Sequence, residues 1–500
     1  MNKITLENGL KIEVKGLSID SRYINSGELF CACVGSKTQI NTNDIKSSHG
    51  IAYAGQAIKR GAVAILWEPT ADITEMPKFC QETALYKVEG LHKKLGQFAA
   101  EFYQYPSLEM QIIGVTGTNG KTSVTQFLAQ ILTEQDTLCG LIGTLGNGLY
   151  GKIESSNHTT PDAIKVQKLL REMKTSEAAA VTIEVSSHAL HQYRVDHVNF
   201  DIAVFTNLTR DHLDYHGSME NYANEKKKLF LCDSLKTAVI NQDDNFAEQI
   251  EQIIDRKQTK VIAFSTSMER AGEYVDEMMY SKNIHYHACG SRFELCLGEH
   301  VEQVELPLIG HFNISNALAT AAVLHALGYG LAVIAKALGQ LKSVAGRMEL
   351  INNQLNKKIQ LIVDYAHTPD ALEQAIKALK SHSNNKLWCV FGCGGNRDKG
   401  KRAEMAEVSA LNADHIIITS DNPRDEEPMA IIQDIEKGMN GHTNYRIEPD
   451  RIKAIKLAID LAEQGDMILV AGKGHENYQE IKGIKYDYSD RETCRELLAA

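Results

Sequence analysis

No stretch of this 500-residue chain stays apolar long enough to cross a bilayer; runs such as Met467–Ala471 end after a few residues. The opening residues, Met1-Asn2-Lys3-Ile4-Thr5-Leu6-Glu7, also lack the apolar core of an export signal, so the expected location is the cytoplasm. Ten cysteines are present but none form paired CxxC spacings, and Cys31 and Cys33 stand only two apart. They read as reduced thiols filling cores rather than as a zinc site or a disulfide framework. An excess of positive charge is missing too. Lys and Arg number 53 against 64 Asp and Glu, a net charge of −11 that argues against a general nucleic-acid surface. Anionic small substrates stay open, because local cations and helix ends hold them whatever the net charge. Repeats and low-complexity tracts are absent. With 43% hydrophobic and 23% charged residues, the chain is of globular composition, and its length suggests about three domains.

What is present is concentrated first in Gly117-Thr118-Asn119-Gly120-Lys121-Thr122. An apolar segment, Gln111 to Val115, predicts a strand before it, and Ser123 to Leu132 predicts a helix after it. Strand, glycine turn, Lys-Thr and helix together make a phosphate cradle. Backbone N–H groups and the helix N-terminus are expected to face the anion, where Lys121 can reach the outer phosphates and the Thr122 hydroxyl can ligate magnesium. The strict pattern wants glycine at Val115, and here the glycines stand at 114 and 117 instead. ATP is the expected ligand.

Around this loop the pattern alternates. Residues 1–107 carry short strands (Leu29–Val34, Ala62–Trp67) and a helix, Leu91 to Tyr103, with Tyr105-Pro106-Ser107 read as a linker. Residues 108–342 place strands at Ala179–Glu184, Ile202–Phe205, Ala238–Asn241 and Val261–Phe264 between helical stretches, then two helices, Phe312–Leu327 and Leu331–Leu341. Residues 343–500 begin the alternation again with strands at Gln360–Val363, Leu387–Phe391, His415–Ser420 and Met467–Val470. The fold class is therefore α/β in three domains. An N-terminal α/β domain precedes a central ATPase-type domain with a mostly parallel sheet, and a Rossmann-like domain closes the chain.

Glu184, at the carboxyl end of a predicted parallel strand, lies on the rim where ligands bind and suits magnesium. A plain solvated strand-end carboxylate is the bland alternative. After Ile202–Phe205 come Asp211, His212, Asp214 and His216 within six residues, offering oxygen and imidazole ligands for a second metal ion. Asn313 and Asn316, three apart at a helix start, suit an adenine edge or ordinary capping equally well. Arg347 suits a phosphate and Asp364 ribose hydroxyls.

Taken in order, Gly117–Thr122, Thr159-Thr160-Pro161-Asp162, Glu184–Leu190, Asp211-His212, His311-Phe312-Asn313, Gly346–Glu349 and Asp364–His367 resemble the Mur ligases, the ATP-dependent amino-acid-adding enzymes of peptidoglycan synthesis. The resemblance spans almost the whole chain, and Asp421-Asn422-Pro423-Arg424 resembles the motif of the branch that adds meso-2,6-diaminopimelate. It implies that Lys226 is carbamylated by carbon dioxide and supports magnesium together with Thr122, Glu184 and His212. It implies that Thr159, Thr160, Ser186, Gln192 and Arg194 hold a muramoyl-dipeptide, and that Ser21 in Asp20-Ser21-Arg22 receives its UDP end. For diaminopimelate it implies Arg397, Asp421, Asn422, Pro423, Arg424 as main selector, Gly472 and Glu476. The expected reaction passes through an acyl phosphate, with Lys121, Lys226 and His212 as catalytic residues and no nucleic-acid, membrane or oligomeric partner. One departure stands in the first domain: Ser36 to His49 is longer and more polar than the family's turn, so its uridine and diphosphate contacts are unassigned. A lysine-adding sister ligase, a folylpolyglutamate synthetase and a catalytically silent nucleotide-binding regulator stay open as alternatives.

Overall fold

The computed structural model describes residues 2–6, 9–34, 49–70, 83–156, 158–267, 274–287, 289–351, 359–382 and 385–499. Contacts gather the chain into two compact units, one dominated by the residues up to Ser265, the other by Met279–Ala321 and Gly328–Ala500.

The first unit opens with an antiparallel hairpin, β1 (Asn2–Thr5) with β2 (Lys11–Val14). A parallel sheet follows in the order β3 (Leu17–Ser18), β4 (Leu29–Ala32), β5 (Ala64–Trp67), β6 (Ala84–Lys87). The helix Leu91–Phe102 buries Leu91, Leu95, Phe98 and Phe102, and its Glu101 accepts from Thr5 N at 3.0 Å, fastening β1. The Tyr105–Ser107 stretch is not a free linker. Gln104 and Tyr105 take left-handed conformations that reverse the chain, Pro106 starts a 3-10 turn, and the buried Ser107 hydroxyl accepts from Asn199 N at 3.1 Å. The longer polar segment after Gly35 lies outside the described residues up to His49.

The larger sheet of this unit contains β7 (Gln111–Thr116), β8 (Cys139–Gly143), β9 (Gly146–Leu149), β10 (Lys152–Glu154), β11 (Ala180–Glu184), β12 (Ile202–Phe205), β13 (Thr237–Asn241) and β14 (Lys260–Ser265). They run in the order β10-β9-β8-β11-β7-β12-β13-β14, parallel except for the β8-β9-β10 edge. The inner strands β11, β12 and β13 are buried along their whole length and mostly apolar, as strands covered on both faces are. Register decides the site. Glu184 of β11 pairs with Val115 of β7, and Phe205 of β12 pairs with Thr116, so three strands end side by side. The phosphate loop, Glu184 and the loop after Phe205 therefore leave one sheet edge together, where α/β sheets bind ligands.

In the second unit, β15 (Glu277–His287), β16 (Gly290–Leu297) and β17 (His300–Leu306) form an antiparallel meander. The sequence reading named no strand between Phe264 and the helix at Phe312, and this meander lies there. These strands alternate apolar and charged residues, as in Arg292-Phe293-Glu294-Leu295, so no continuous apolar run announces them. The Rossmann-like sheet runs β18 (Glu349–Ile351), β19 (Gln360–Asp364), β23 (Met467–Ala471), β20 (Leu387–Phe391), β21 (His415–Ile418), β22 (Tyr445–Ile447), parallel apart from β18. Leu372, Ile376, Met405 and Ile432 pack on one face, Ile455, Ala458, Cys494 and Leu498 on the other. A short hairpin, β24 (Tyr478–Ile481) with β25 (Ile484–Asp487), follows β23. The described cysteines are all free thiols. Among the described residues no helix is long and apolar enough to cross a membrane.

Candidate active site

Beyond β7 the chain turns through Gly117 (φ 150°) and Gly120 (φ 86°), and the helix Lys121–Glu134 begins at the lysine itself. Gly117 is required by close approach as well as by φ, because a Cβ there would overlap the Thr206 hydroxyl. The loop is stitched to the segment after β12. Thr118 N donates to Asn207 O at 2.8 Å, Asn119 N to Asn207 Oδ1 at 2.9 Å, and Thr206 Oγ1 to Asn119 O at 2.6 Å. Lys121 Nζ curls back onto Gly117 O and Thr118 O, both at 2.8 Å, in the mouth of the cradle. Thr122 Oγ1 donates to Glu184 Oε2 at 2.8 Å, which joins the two oxygen groups expected to face magnesium.

Glu184 is fully buried, and its other contacts come from a residue the sequence did not single out. Thr144 donates its N–H to Oε1 at 2.8 Å and its hydroxyl to Oε2 at 3.0 Å. Thr144 lies 40 residues from Glu184, beyond the end of β8, so only the pairing of β8 with β11 brings it there.

Lys226 is 1% exposed on the helix Met219–Lys227. Its Nζ donates to Gly117 O at 2.7 Å and stands 4.5 Å from the Tyr222 ring centroid. Tyr222 OH meets Thr118 Oγ1 at 3.0 Å, so the four-residue step Tyr222–Lys226 braces the phosphate loop from below. Burial first, and then the charge of Lys121, push the Lys226 ammonium well below its ordinary pKa. His212, left-handed at φ 52°, pairs with Asp211 and packs edge-on against His188 at 4.8 Å. Burial, with the neighbouring imidazoles, lowers His188 to about 4. The Asp211, His212, Asp214 and His216 group does not converge on one point. His216 turns inward to Ser187 Oγ at 3.0 Å, and among the described residues no three His, Cys, Asp or Glu are arranged to hold a metal.

The dipeptide set is largely contiguous. Thr160 Oγ1 donates to Glu184 O at 2.6 Å and to Ser186 Oγ at 3.2 Å, and Thr159 Oγ1 meets Thr144 Oγ1 at 3.1 Å. Arg194 donates to Thr160 O at 2.9 Å and to Gln192 Oε1, and Gln192 in turn donates to Tyr215 OH at 2.8 Å. Ser21, buried in the N-terminal sheet region, donates to Gln56 Oε1 at 2.7 Å.

The remaining predicted residues belong to the second unit. Asn313 and Asn316 are buried and chained together: Asn313 donates to Ile309 O at 2.8 Å, and Asn316 to Asn313 Oδ1 at 3.2 Å. Arg347 lies over the Tyr365 ring at 4.7 Å, while Asp364 accepts from Met348 N at 2.7 Å and from Ala366 N at 2.9 Å. Burial raises the Asp364 carboxyl above its ordinary range.

The Asp421–Arg424 turn leaves the end of β21. Arg424, left-handed at φ 51°, donates Nε to Glu480 Oε2 at 3.1 Å and Nη1 to Gly395 O at 2.8 Å. Asn422 bridges: its amide donates to Glu476 Oε2 at 2.9 Å, and its oxygen accepts from Lys473 Nζ and Glu480 N, each at 2.9 Å. Lys473, fully buried, also pairs with Glu476 at 2.9 Å. Gly472 is left-handed at φ 116° above Asp421, and Arg397 is exposed on the neighbouring loop. Glu480 and Lys473, which hold Arg424 and Glu476, had no sequence signal beyond their charge.

Residues 115–324 match the Mur ligase middle domain, and residues 346–474 match the Mur ligase, glutamate ligase domain. The UDP-N-acetylmuramoyl-L-alanyl-D-glutamate--2,6-diaminopimelate ligase of Xanthomonas campestris pv. campestris (strain 8004) is 44% identical over 487 residues, 97% of this chain and 94% of its own. The Pseudomonas aeruginosa ligase of the same name is 42% identical over 97% of this chain and 95% of its own. A solved structure of a ligase so named aligns with a TM-score of 0.70 at 33% identity, covering 99% of both chains. An ADP complex of Mycobacterium tuberculosis folylpolyglutamate synthase shares the fold at a TM-score of 0.60, with 17% identity over 76% of this chain and 91% of that one. This α/β chain belongs to the Mur ligase family.

Proposed function

We infer that this chain is an ATP-dependent ligase that adds meso-2,6-diaminopimelate to UDP-N-acetylmuramoyl-L-alanyl-D-glutamate in peptidoglycan precursor synthesis. Its near-full-length similarity to curated ligases named for those substrates carries the reading. The Asp421–Arg424 turn supports diaminopimelate over lysine, because a planar guanidinium suits the carboxylate that lysine lacks.

In this reading the D-glutamyl carboxylate attacks the γ-phosphorus of ATP, the bond to the bridging oxygen breaks, and ADP leaves behind an acyl phosphate. The amino group of diaminopimelate then attacks the acyl carbon, and the tetrahedral adduct expels phosphate as the amine sheds its proton. Lys121 lies in the cradle to offset the charge that gathers on the phosphates. Asn313, Asn316, Arg347 and Asp364 serve the nucleotide, and Gly117 to Thr122 cradle its phosphates. Thr159, Thr160, Ser186, Gln192 and Arg194 hold the dipeptide, with Ser21 toward UDP. Asp421, Asn422, Pro423, Arg424, Arg397, Gly472 and Glu476 hold the diamino acid.

Thr122 Oγ1 and the Glu184 carboxylate, 2.8 Å apart, are hard oxygen donors of the kind magnesium takes, with His212 in a second group beside Lys226. Magnesium bound there supplies a Lewis acid for phosphoryl transfer. Lys226 fits carbamylation. Its buried amine faces another cation, which favours the neutral form that adds carbon dioxide. Nζ then bonds to carbon, a proton leaves, and the side chain ends in a carboxylate.

The chain divides functionally at 1–107, 108–342 and 343–500 and works as a cytoplasmic monomer; the family matches at 115–324 and 346–474 fall within the second and third parts. Purified protein with ATP, magnesium and the UDP-dipeptide, assayed against a panel of amino acids, should release phosphate chiefly with meso-diaminopimelate. A preference for lysine, or release without the UDP-dipeptide, would overturn the reading.

A further inference from the structure

We propose that Arg402 is a positioning residue for amino-acid recognition: through Glu426 it locks together the two loops, 394–398 and 421–426, that present Arg397 and Arg424. The proposal rests on the reading of these loops as the diaminopimelate site.

Arg402 sits in the first turn of the helix Gly400–Asn412, with its side chain wholly buried. Nη1 donates to Glu426 Oε2 and to Asp434 Oδ2, both at 3.0 Å. Nη2 donates to Glu426 Oε1 at 2.8 Å and reaches Gly394 O at 3.4 Å. The guanidinium thus grips the Glu426 carboxylate with two parallel bonds while touching the other loop's backbone. Glu426 extends the grip, because its Oε1 also accepts from Asn396 N at 2.6 Å, the residue before Arg397.

Above this pair the loops are fastened face to face. Gly395 N donates to Asn422 O at 2.9 Å, and Arg424 Nη1 donates to Gly395 O at 2.8 Å. A Cβ at Gly395 would overlap the Pro423 carbonyl, so the two backbones meet as closely as they can. Asn396 Nδ2 adds a bond to Asp425 Oδ2 at 2.6 Å. Every one of these contacts ties a residue of one loop to a residue of the other, and Arg402 with Glu426 is the charged pair common to both.

Burying a guanidinium is costly, and the Nε of Arg402 has no hydrogen-bond partner among the described residues. An apolar side chain of similar volume would fill the space at lower cost, so stability alone does not account for the charge. What the charge supplies is direction: two bonds of fixed geometry that set where Glu426, and with it the Arg424 turn, must lie.

Two conservative variants of the full chain test this. Arg402→Lys keeps the charge but loses the fork, and Glu426→Gln keeps the shape but loses the charge. Misplacing a positioning group by about 1 Å costs on the order of tenfold to a hundredfold. The expected result is a rise of about tenfold or more in KM for meso-diaminopimelate. KM for ATP and for the UDP-dipeptide should stay within about twofold, and both variants should unfold cooperatively. An unchanged diaminopimelate KM in Glu426→Gln, or an equal rise for all three substrates, would overturn the proposal. If Arg402→Lys does not fold, Glu426→Gln alone decides. A wild-type enzyme that ignores diaminopimelate but uses another amino acid refutes the substrate reading, and the same KM comparison with that amino acid then decides the positioning role.

Discussion

In the phosphate loop, most bonds that fix the shape end on main-chain atoms of the loop itself, whether the partner is the nearby Lys121 or the distant Thr206, Asn207 and Lys226. Lys121 bonds the carbonyls of Gly117 and Thr118, and Lys226 bonds Gly117 O again from the neighbouring helix. At the Asp421–Arg424 turn, side chains bonded to one another do this work: Arg424 with Glu480, Arg402 with Glu426, and Lys473 with Asn422 and the nearby Glu476. The first arrangement is built on the backbone of a short peptide at the end of a strand. The second is a lattice of side-chain pairs, in which Arg424 meets Glu480 and Arg402 meets Glu426 only through the folded sheet. A backbone-built cradle should therefore survive loss of a side chain in shape and fail in chemistry, whereas a side-chain lattice should lose selectivity first.

The largest effect is expected at Lys121. Lys121→Ala removes a cation from the cradle without opening a core cavity, so phosphate release should fall by roughly 10²- to 10³-fold while the unfolding midpoint barely moves. Near-normal release from a folded Lys121→Ala protein would break the contrast at its root. Next comes Lys226, the buried side chain that bonds the loop at Gly117 O. Lys226→Ala should lose activity by about a hundredfold. Native mass spectrometry of the wild type in bicarbonate buffer should show one added carbon dioxide that disappears on acidification; a fully active protein of unmodified mass would refute the carbamate.

Arg424→Ala should sharpen the other half of the comparison. Removing a partner of a desolvated carboxylate costs about 2–5 kcal/mol, so diaminopimelate KM should rise well over tenfold with ATP KM near wild type. Parallel loss of both substrates would mean that the turn does not act selectively.

The smallest effect is on acid stability. Arg402, foremost through its hydrogen bonds, holds the Glu426 carboxyl down at about 2 against an ordinary 4.5. A carboxylate depressed in the folded state stabilises fully above the ordinary value, and that stabilisation is lost as pH falls from 4.5 through about 2. Glu426→Gln should flatten the fall of the unfolding midpoint over that window, whereas Lys121→Ala should leave it as in the wild type. An acid limb unchanged in Glu426→Gln would show that the pair contributes nothing to stability there.

The residues that could be read in advance are those whose job is local. Gly117 and Gly120 are needed by the backbone of one turn, and Gln111–Thr116 and Lys121–Glu134 carry the strand and helix patterns on either side of it. The other strands named in advance, β4, β5, β11 to β14, β19 to β21 and β23, were off by at most two residues at their ends, because inner strands are mostly apolar; β8 to β10, β18, β22 and the hairpins were not named. The meander of β15, β16 and β17 was not, since polar and apolar residues are interspersed along each strand. The Asp211–His216 group looked like a ligand cluster from its spacing, yet a short helical turn sends His216 inward and leaves Asp214 outside.

By itself, the sequence determined the phosphate loop, the order of the motifs and membership of the Mur ligase family, because each is written in neighbouring residues or in their order along the chain. Tertiary structure alone decided that Thr144 grips Glu184, that Tyr222 braces Thr118, that Glu480 steadies Arg424 and that Arg402 joins two loops. Such pairs stand tens of residues apart, and a side chain's partner across that distance is set by sheet register and strand order, which no local pattern of residues specifies.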